Sequence, residues 1–388
     1  MNQKIHRLTV VLFLICLYAF ALAFALLPDH TFSEQENRSL RTLPKFGWQK
    51  LISGEYAAEI NDYFADQFPL RDTLVGLKGS VELAFGKGEN NGILLGDGQQ
   101  LADRLFDVYR NGDVTHETDT YDPAHLDAVC NAINRLSERL DIPFSALFTG
   151  RTIDVAASAF RYPATTSNAI LEQISNGIHK HVLIDTIPLL RQKYELGESV
   201  YYRTDHHWTT LGAYYAYAET MRAFDMAEDI LPAEAFFKKT VSDAFYGTAW
   251  SAGGMKHIHP DQIELWLFGN ESDFTVTADG KELDGFYNMA YLAKKDQYSL
   301  FLDGTHDVVT VQKKGEERPT LLMLRDSFGA SIAPFLAQHF DLVLLNLSSQ
   351  RADFCDVTAL SAQYGADRVL LVYTLENVIG CGRAAALH

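Results

Sequence analysis

The sequence predicts an α/β protein, a doubly wound and mainly parallel sheet covered by helices, behind one N-terminal membrane helix. Three observations carry this. Helical and short apolar segments alternate from His125 onward, which is the pattern of βαβ units. The chain closes with three apolar strands, Pro319 to Leu324, Asp341 to Leu347 and Arg368 to Tyr373, the first two separated by a helical segment, Ala330 to Phe340. Near its start lies an uncharged apolar run of twenty residues, Leu8 to Leu27.

That run has the length that spans a hydrocarbon core as a helix. Lys4, His6 and Arg7 precede it without an acid, so the positive-inside rule keeps the tail in the cytoplasm and sends everything after Pro28 across the membrane. Small residues at Ala21, Ala23 and Ala25 would permit signal-peptidase cleavage. The run nevertheless exceeds the usual signal core of about 7–15 residues, which favours a retained signal anchor over residues 1–28. Residues 29–47 are polar and aperiodic and read as an extended tether, with one large extracytoplasmic domain expected from 48 to 388.

Within that domain, Trp48 to Phe85 has helical apolar spacing broken at Phe68-Pro69, so two helices are expected. Glycine-rich turns around Ile93 to Leu95 mark a short strand. His125 to Leu140 reads as helix, Pro143 to Thr149 as strand, Asn168 to Lys180 as helix and His181 to Ile187 as strand. Residues 228–314 are richer in aromatics and glycine, with weak alternation at Phe274 to Thr277 and Tyr298 to Leu302, and read as a mixed insertion on the same core.

At 47% hydrophobic and 21% charged, the 388 residues are globular and neither disordered nor fibrous. Fifty acidic against thirty-three basic residues give a net charge of −17, which repels polyanions and excludes a broad nucleic-acid footprint. Four cysteines, Cys16, Cys130, Cys355 and Cys381, are too few and scattered for a disulfide scaffold. Cys355 and Cys381 could pair, leaving Cys130 a buried thiol.

Two constellations carry chemistry. Thr204-Asp205-His206-His207-Trp208 holds an acid two residues before a histidine; whether extended or in a tight loop, Asp205 and His207 can point to the same side while His206 points elsewhere. An Asp beside a His fixes its tautomer and stabilises the imidazolium that forms when the ring takes a proton. These residues lie too close in sequence to converge easily on one ion, so no metal is expected, and no cofactor. The second constellation, Arg325-Asp326-Ser327-Phe328-Gly329, follows a buried strand and leads into a helix. Ser327 is thereby set at the carboxyl end of a strand, where open α/β sheets bind ligands, beside a helix N-terminus suited to an oxyanion. A serine nucleophile needs a base, and the base an orienting acid; the chain supplies one of each.

TDHHWTTLGAYYAY (Thr204 to Tyr217) and LRDSFGASIAPFLAQHF (Leu324 to Phe340) resemble the DHHW family. That family is similar to the alginate O-acetylation proteins AlgJ and AlgX, of the circularly permuted SGNH hydrolase-like group. Phe32 to Leu40, Tyr63 to Asp72, Asn90 to Gly96, Phe245 to Ser251 and Lys295 to Gly304 also look like family stretches. The resemblance implies an SGNH-type α/β/α sandwich, and O-acetylation of exported polysaccharide with a membrane-bound O-acyltransferase (MBOAT) exporting the acetyl group. It makes Ser327 the nucleophile, His207 the base and Asp205 the orienting acid. His206 and Trp208 take packing or substrate-wall roles, and Asn377 stands where a second oxyanion donor would be. Arg325 occupies a place held by lysine in many relatives, and Gly150-Arg151-Thr152 replaces a proline-containing segment. Water as acceptor would make the same site an acetylesterase. The competing expectation is a non-catalytic glycan-binding or scaffolding subunit, with Trp250, Trp266 and tyrosines stacking sugars.

Overall fold

The computed structural model describes residues 3–33, 38–161, 167–349 and 351–388. The chain divides into two compact units, Met1–Lys87 with Gly254–His257, and Gly88–Gly253 with Ile258–His388. By this division the helices after the tether group with the N-terminal helix.

In the first unit Gln3–Leu26 is one continuous helix, and its Ile5–Leu26 stretch is long and apolar enough to cross a membrane. Residues 34–37 of the expected tether lie outside the described residues; on either side Phe32–Ser33 and Arg38–Ser39 pair antiparallel. The tether is fastened rather than free, since Gln67 Nε2 donates to the carbonyls of His30 and Arg41, each at 2.8 Å. Where two helices are expected, three form, Trp48–Ser53, Glu55–Asp66 and Arg71–Ala84. The additional break falls at Gly54, whose φ of 84° is a left-handed conformation that a side chain would strain.

The second unit is built on an eight-stranded sheet. Its strands in chain order are β1 (Phe144–Thr149), β2 (Leu183–Asp185), β3 (Phe274–Ala278), β4 (Lys281–Leu283), β5 (Val308–Lys313), β6 (Thr320–Arg325), β7 (Asp341–Asn346) and β8 (Arg368–Thr374). They lie in the order β4-β3-β5-β7-β6-β8-β1-β2. From β7 to β2 every pairing is parallel, whereas β5, β3 and β4 join antiparallel. The central strands β1, β6 and β8 are buried along nearly their whole length, which explains their unbroken apolar runs.

The expected insertion supplies β3, β4 and β5 to this same sheet, and a separate hairpin from Phe237–Phe245 and Asp261–Leu267. Tyr298 to Leu302, where the sequence shows weak alternation, opens with a single 3₁₀ turn at Tyr298–Leu300. Cys130, Cys355 and Cys381 are all free thiols, and burial pushes Cys130 up to about 11.

The topology places the crevice. From β6 the chain passes through the helix Gly329–Leu336 to β7, then through Val357–Tyr364 to β8 on the other side of β6. Right-handed crossovers that run in opposite directions put their helices on opposite faces, and a ligand crevice opens at the carboxyl ends of the strands where the direction reverses. Ser327 is two residues beyond the end of β6.

Candidate active site

His207 arrives at that crevice on a bend. Residues 203–207 form a loop closed by a bridge between Tyr201 and Trp208 and by the Tyr202 N–H donating to the His207 carbonyl at 3.1 Å. The following helix, Thr210–Ala223, starts at Thr209, whose hydroxyl accepts from the Gly212 N–H at 3.2 Å. The cap is thus made without Asp205 or either histidine.

Asp205, His207 and Ser327 are joined in line. His207 Nδ1 lies 2.5 Å from Asp205 Oδ1, and His207 Nε2 lies 2.7 Å from Ser327 Oγ. An ionised carboxylate only accepts, so Nδ1 carries the ring proton and Nε2 receives the serine hydroxyl. Asp205 and His207 are buried. Burial opposes charge on Asp205, but the imidazoles of His207 and His206 and the Thr248 N–H outweigh it and hold the carboxyl well below its ordinary range.

Residues outside the two motifs hold this arrangement. Asp205 Oδ2 accepts from the Thr248 N–H at 2.9 Å and the Thr248 hydroxyl at 3.2 Å. Beside it, Gly247 leaves no room for a Cβ, which would overlap the Asp205 carboxylate. Tyr298 stacks on the His207 ring at 3.7 Å between centroids and 12° between planes. Its hydroxyl bonds to Ser331 Oγ at 2.9 Å, the same oxygen that receives Trp208 Nε1–H at 2.7 Å. Sequence reasoning assigned no role to Gly247, Thr248 or Tyr298. Their signal was present in the stretches Phe245 to Ser251 and Lys295 to Gly304.

The remaining expected site residues separate. Trp208 is fully buried and packs edge-on against Phe328, a position inside the core and not on a substrate wall. His206 is part-exposed, and its ring lies against that of His207 at 3.9 Å between centroids while Nδ1 meets Thr248 Oγ at 2.6 Å. The alternation of an extended strand does not hold in a bend, so His206 joins its neighbours where it was expected to point away. Asn377 stands beside Ser327; one of its two amide N–H groups donates to Asp326 Oδ2 at 2.9 Å, leaving the second for another acceptor. Asp326 also accepts from the N–H groups of Phe328 at 3.0 Å and Thr374 at 2.7 Å, which fixes the turn that carries the serine.

The bend also brings one ligand atom from each of Asp205, His206 and His207 within 4.8 Å of one another, contrary to the expectation that they would not converge. Those groups are already committed, His207 to Asp205 and Ser327, His206 to Thr248 and Asp205 to Thr248. A cation held by His207 would have to displace one of its two hydrogen bonds, so the donor set does not fit a resident metal. Trp266, offered as a sugar-stacking residue, is buried.

Two cavities flank Ser327 and share Asn377. The larger, about 410 Å³, is walled by His206, Thr248, Phe328, Asp103 and Glu376. Burial raises both carboxyls above their ordinary values, and for Glu376 the nearby Asp103 adds to this. The smaller, about 130 Å³, is lined by Arg325, Asn346, Ser348 and Tyr298 among others.

An α/β unit with an acid, a histidine and a serine aligned at the carboxyl edge of its sheet defines the class. Residues 151–346 match the DHHW protein family, and the chain belongs to it. Its fold is similar to that of a DHHW family protein from Eubacterium siraeum, with 18% identity and a TM-score of 0.56 over 77% of this chain and 95% of that one. It is likewise similar to Bacillus cereus PatB1, solved with a sulfonyl adduct, with 18% identity and a TM-score of 0.58 over 72% of this chain and 98% of that one. The O-acetyltransferase domain of Pseudomonas putida AlgJ aligns at 12% identity and a TM-score of 0.44, over 74% of this chain and 92% of that one. No curated protein matches the chain.

Proposed function

We propose that this protein is an O-acetyltransferase that acts on exported or cell-envelope polysaccharide outside the cytoplasm, through an acetyl group carried on Ser327. The observation that carries the reading is the 2.7 Å contact between Ser327 Oγ and His207 Nε2, continued at 2.5 Å from Nδ1 to Asp205. A serine hydroxyl in bulk water is a poor nucleophile, and this contact supplies its base.

In the first half-reaction His207 Nε2 takes the hydroxyl proton as Ser327 Oγ bonds to the carbonyl carbon of an acetyl ester. The carbonyl pair moves to oxygen, and the second amide N–H of Asn377 would donate to that oxyanion. Collapse breaks the bond to the donor oxygen, which leaves with the proton from His207. In the second, a sugar hydroxyl gives its proton to Nε2 and attacks the acetyl carbon, and Ser327 departs with that proton. Asp205 stays ionised and stabilises the imidazolium in both. Water in place of the sugar gives acetate, the esterase outcome.

The helix Gln3–Leu26 is the membrane anchor in this reading, with the α/β unit outside the cytoplasm. The acetyl group then comes from an MBOAT partner in the same membrane, which similarity of the family to the alginate O-acetylation proteins supports. The test is turnover of a model acetyl ester by the purified full chain in detergent, with and without an oligosaccharide acceptor. Activity lost in Ser327→Ala is expected; undiminished activity in that variant would remove the reading.

A further inference from the structure

The first unit buries little of its own apolar surface. Among its described residues the buried apolar side chains are those of Tyr63, Pro69 and Met255, and the helix Trp48–Ser53 buries none of its residues. The helix Arg71–Ala84 carries its apolar side outward. Leu74, Leu77 and Val81 share an arc of about 60° on it, and Leu70 and Phe85 continue that stripe at its two ends. All five are exposed, Phe85 at 88%. The opposite side holds Gly76 and Gly79, which are buried, and a Cβ on Gly76 would come within 2.6 Å of the Lys256 side chain. In a soluble unit the stripe, and not the glycines, would face the core.

The N-terminal helix sets the depth of this segment. Phe20 stacks on Phe68 at 5.3 Å between centroids, and Phe24 on Phe64 at 4.9 Å. At about 1.5 Å per residue, Phe20 and Phe24 lie about 10 Å and about 5 Å inside Leu27, the last residue of the apolar run. Phe68 and Phe64 reach the same depths, and Leu70, the first of the stripe, is two residues beyond Phe68. Trp48, edge-on to Phe46 at 5.2 Å, and Ile52, 85% exposed, add side chains of the kind that settle at a headgroup boundary. Between Arg38 and Lys87 seven basic residues balance six acidic ones, so this stretch lacks the acidic excess that would hold it off an anionic lipid surface.

We infer that the helices Trp48–Ser53 and Arg71–Ala84 lie on the outer leaflet of the membrane that Gln3–Leu26 crosses, with the stripe from Leu70 to Phe85 sunk into lipid. The occupant is lipid and not a second protein, because the stacks on Phe20 and Phe24 hold the segment at a depth where acyl chains surround the membrane helix. This rests on the proposed function for the anchor alone; Ser327 has no part in it.

The experiment reads tryptophan fluorescence of the full chain in vesicles of phosphatidylcholine and phosphatidylglycerol, with and without lipid brominated in the upper acyl chain, a short-range quencher. The Trp48 signal is the difference between wild type and Trp48→Phe. In the Trp48→Phe background, Leu77→Trp reports on the stripe and Leu14→Trp on the membrane helix. Bromine is expected to lower all three signals by about twofold or more, since an interfacial helix face lies about 5–10 Å into the headgroup boundary. An unquenched signal from Trp48 or from folded Leu77→Trp, beside a quenched Leu14→Trp, overturns the inference while the anchor stands, and gives the stripe to a protein partner absent from the vesicles. No quenching in Leu14→Trp removes the anchor reading and the inference with it. The Trp48 signal comes from the unaltered chain, so the test survives a Leu77→Trp variant that fails to fold. Acetyl-ester turnover by Ser327→Ala decides the catalytic reading separately.

Discussion

The two flanks of Ser327 are built on opposite principles. On the His207 flank every named polar group has a protein partner at 2.5 to 3.2 Å, from Asp205 through Thr248 to Ser327. On the Arg325 flank a buried guanidinium keeps two nitrogens, and Asn377 one amide N–H, without a partner among the described residues. The first flank is complete before substrate arrives, as a base and its orienting acid must be. The second leaves hydrogen-bonding capacity that no described residue takes up.

Breaking the completed flank gives the largest effects. Ser327→Ala or His207→Ala is expected to lower kcat for acetyl-ester turnover by about 10⁴–10⁶-fold, and the double variant no further, because the three residues act as a unit. Steady-state kinetics on protein with a native unfolding transition checks this; losses that add would break the unit apart. Asp205→Asn should cost less, about 10⁴-fold, through the wrong imidazole tautomer. Gly247→Ala should lower activity by at least about 10²-fold without touching substrate, because its methyl group displaces the Asp205 carboxylate. Chelators are expected to leave all rates unchanged.

Charge sharpens the same contrast. Asp205 titrates in the fold below its ordinary 3.8, so its contribution to stability is complete above that pH and is lost as the pH falls through the lower folded value. The stability gap between wild type and Asp205→Asn should therefore close only in strong acid. Glu376 has the opposite sign: raised above its ordinary 4.5, it destabilises the fold as it ionises. Glu376→Gln should be more stable than wild type at pH 7 and equal to it below pH 4.5, as thermal unfolding against pH would show. The smallest expected effect is that of Trp208→Phe, about 1 kcal/mol of stability, since Ser331 keeps its bond to Tyr298.

Much of this was legible in the chain. The apolar runs of β1, β6, β7 and β8 have one reading as strands because buried parallel strands lack a polar face, and the serine follows from the end of one of them. Asp205 and His207 were legible from their spacing and their resemblance to a family. Three things were not. The helix break at Gly54 and the place of His206 depend on local backbone geometry that periodicity ignores. The antiparallel β3, β4 and β5 pair across long separations, so their short alternating segments carry no local sign of sheet membership. Gly247, Thr248 and Tyr298 act by proximity to the histidine cluster, and single-chain patterning does not encode contacts across forty to ninety residues.

The central claim is that Ser327 carries the acetyl group. Brief exposure of the full chain to an acetyl ester, acid quench and peptide mass spectrometry tests it most directly. The account predicts one acetyl group on the peptide containing Ser327, absent from Ser327→Ala and His207→Ala, and discharged when an oligosaccharide acceptor is added. Acetyl turnover in wild type with no label on that peptide, or with the same label in Ser327→Ala, would contradict it.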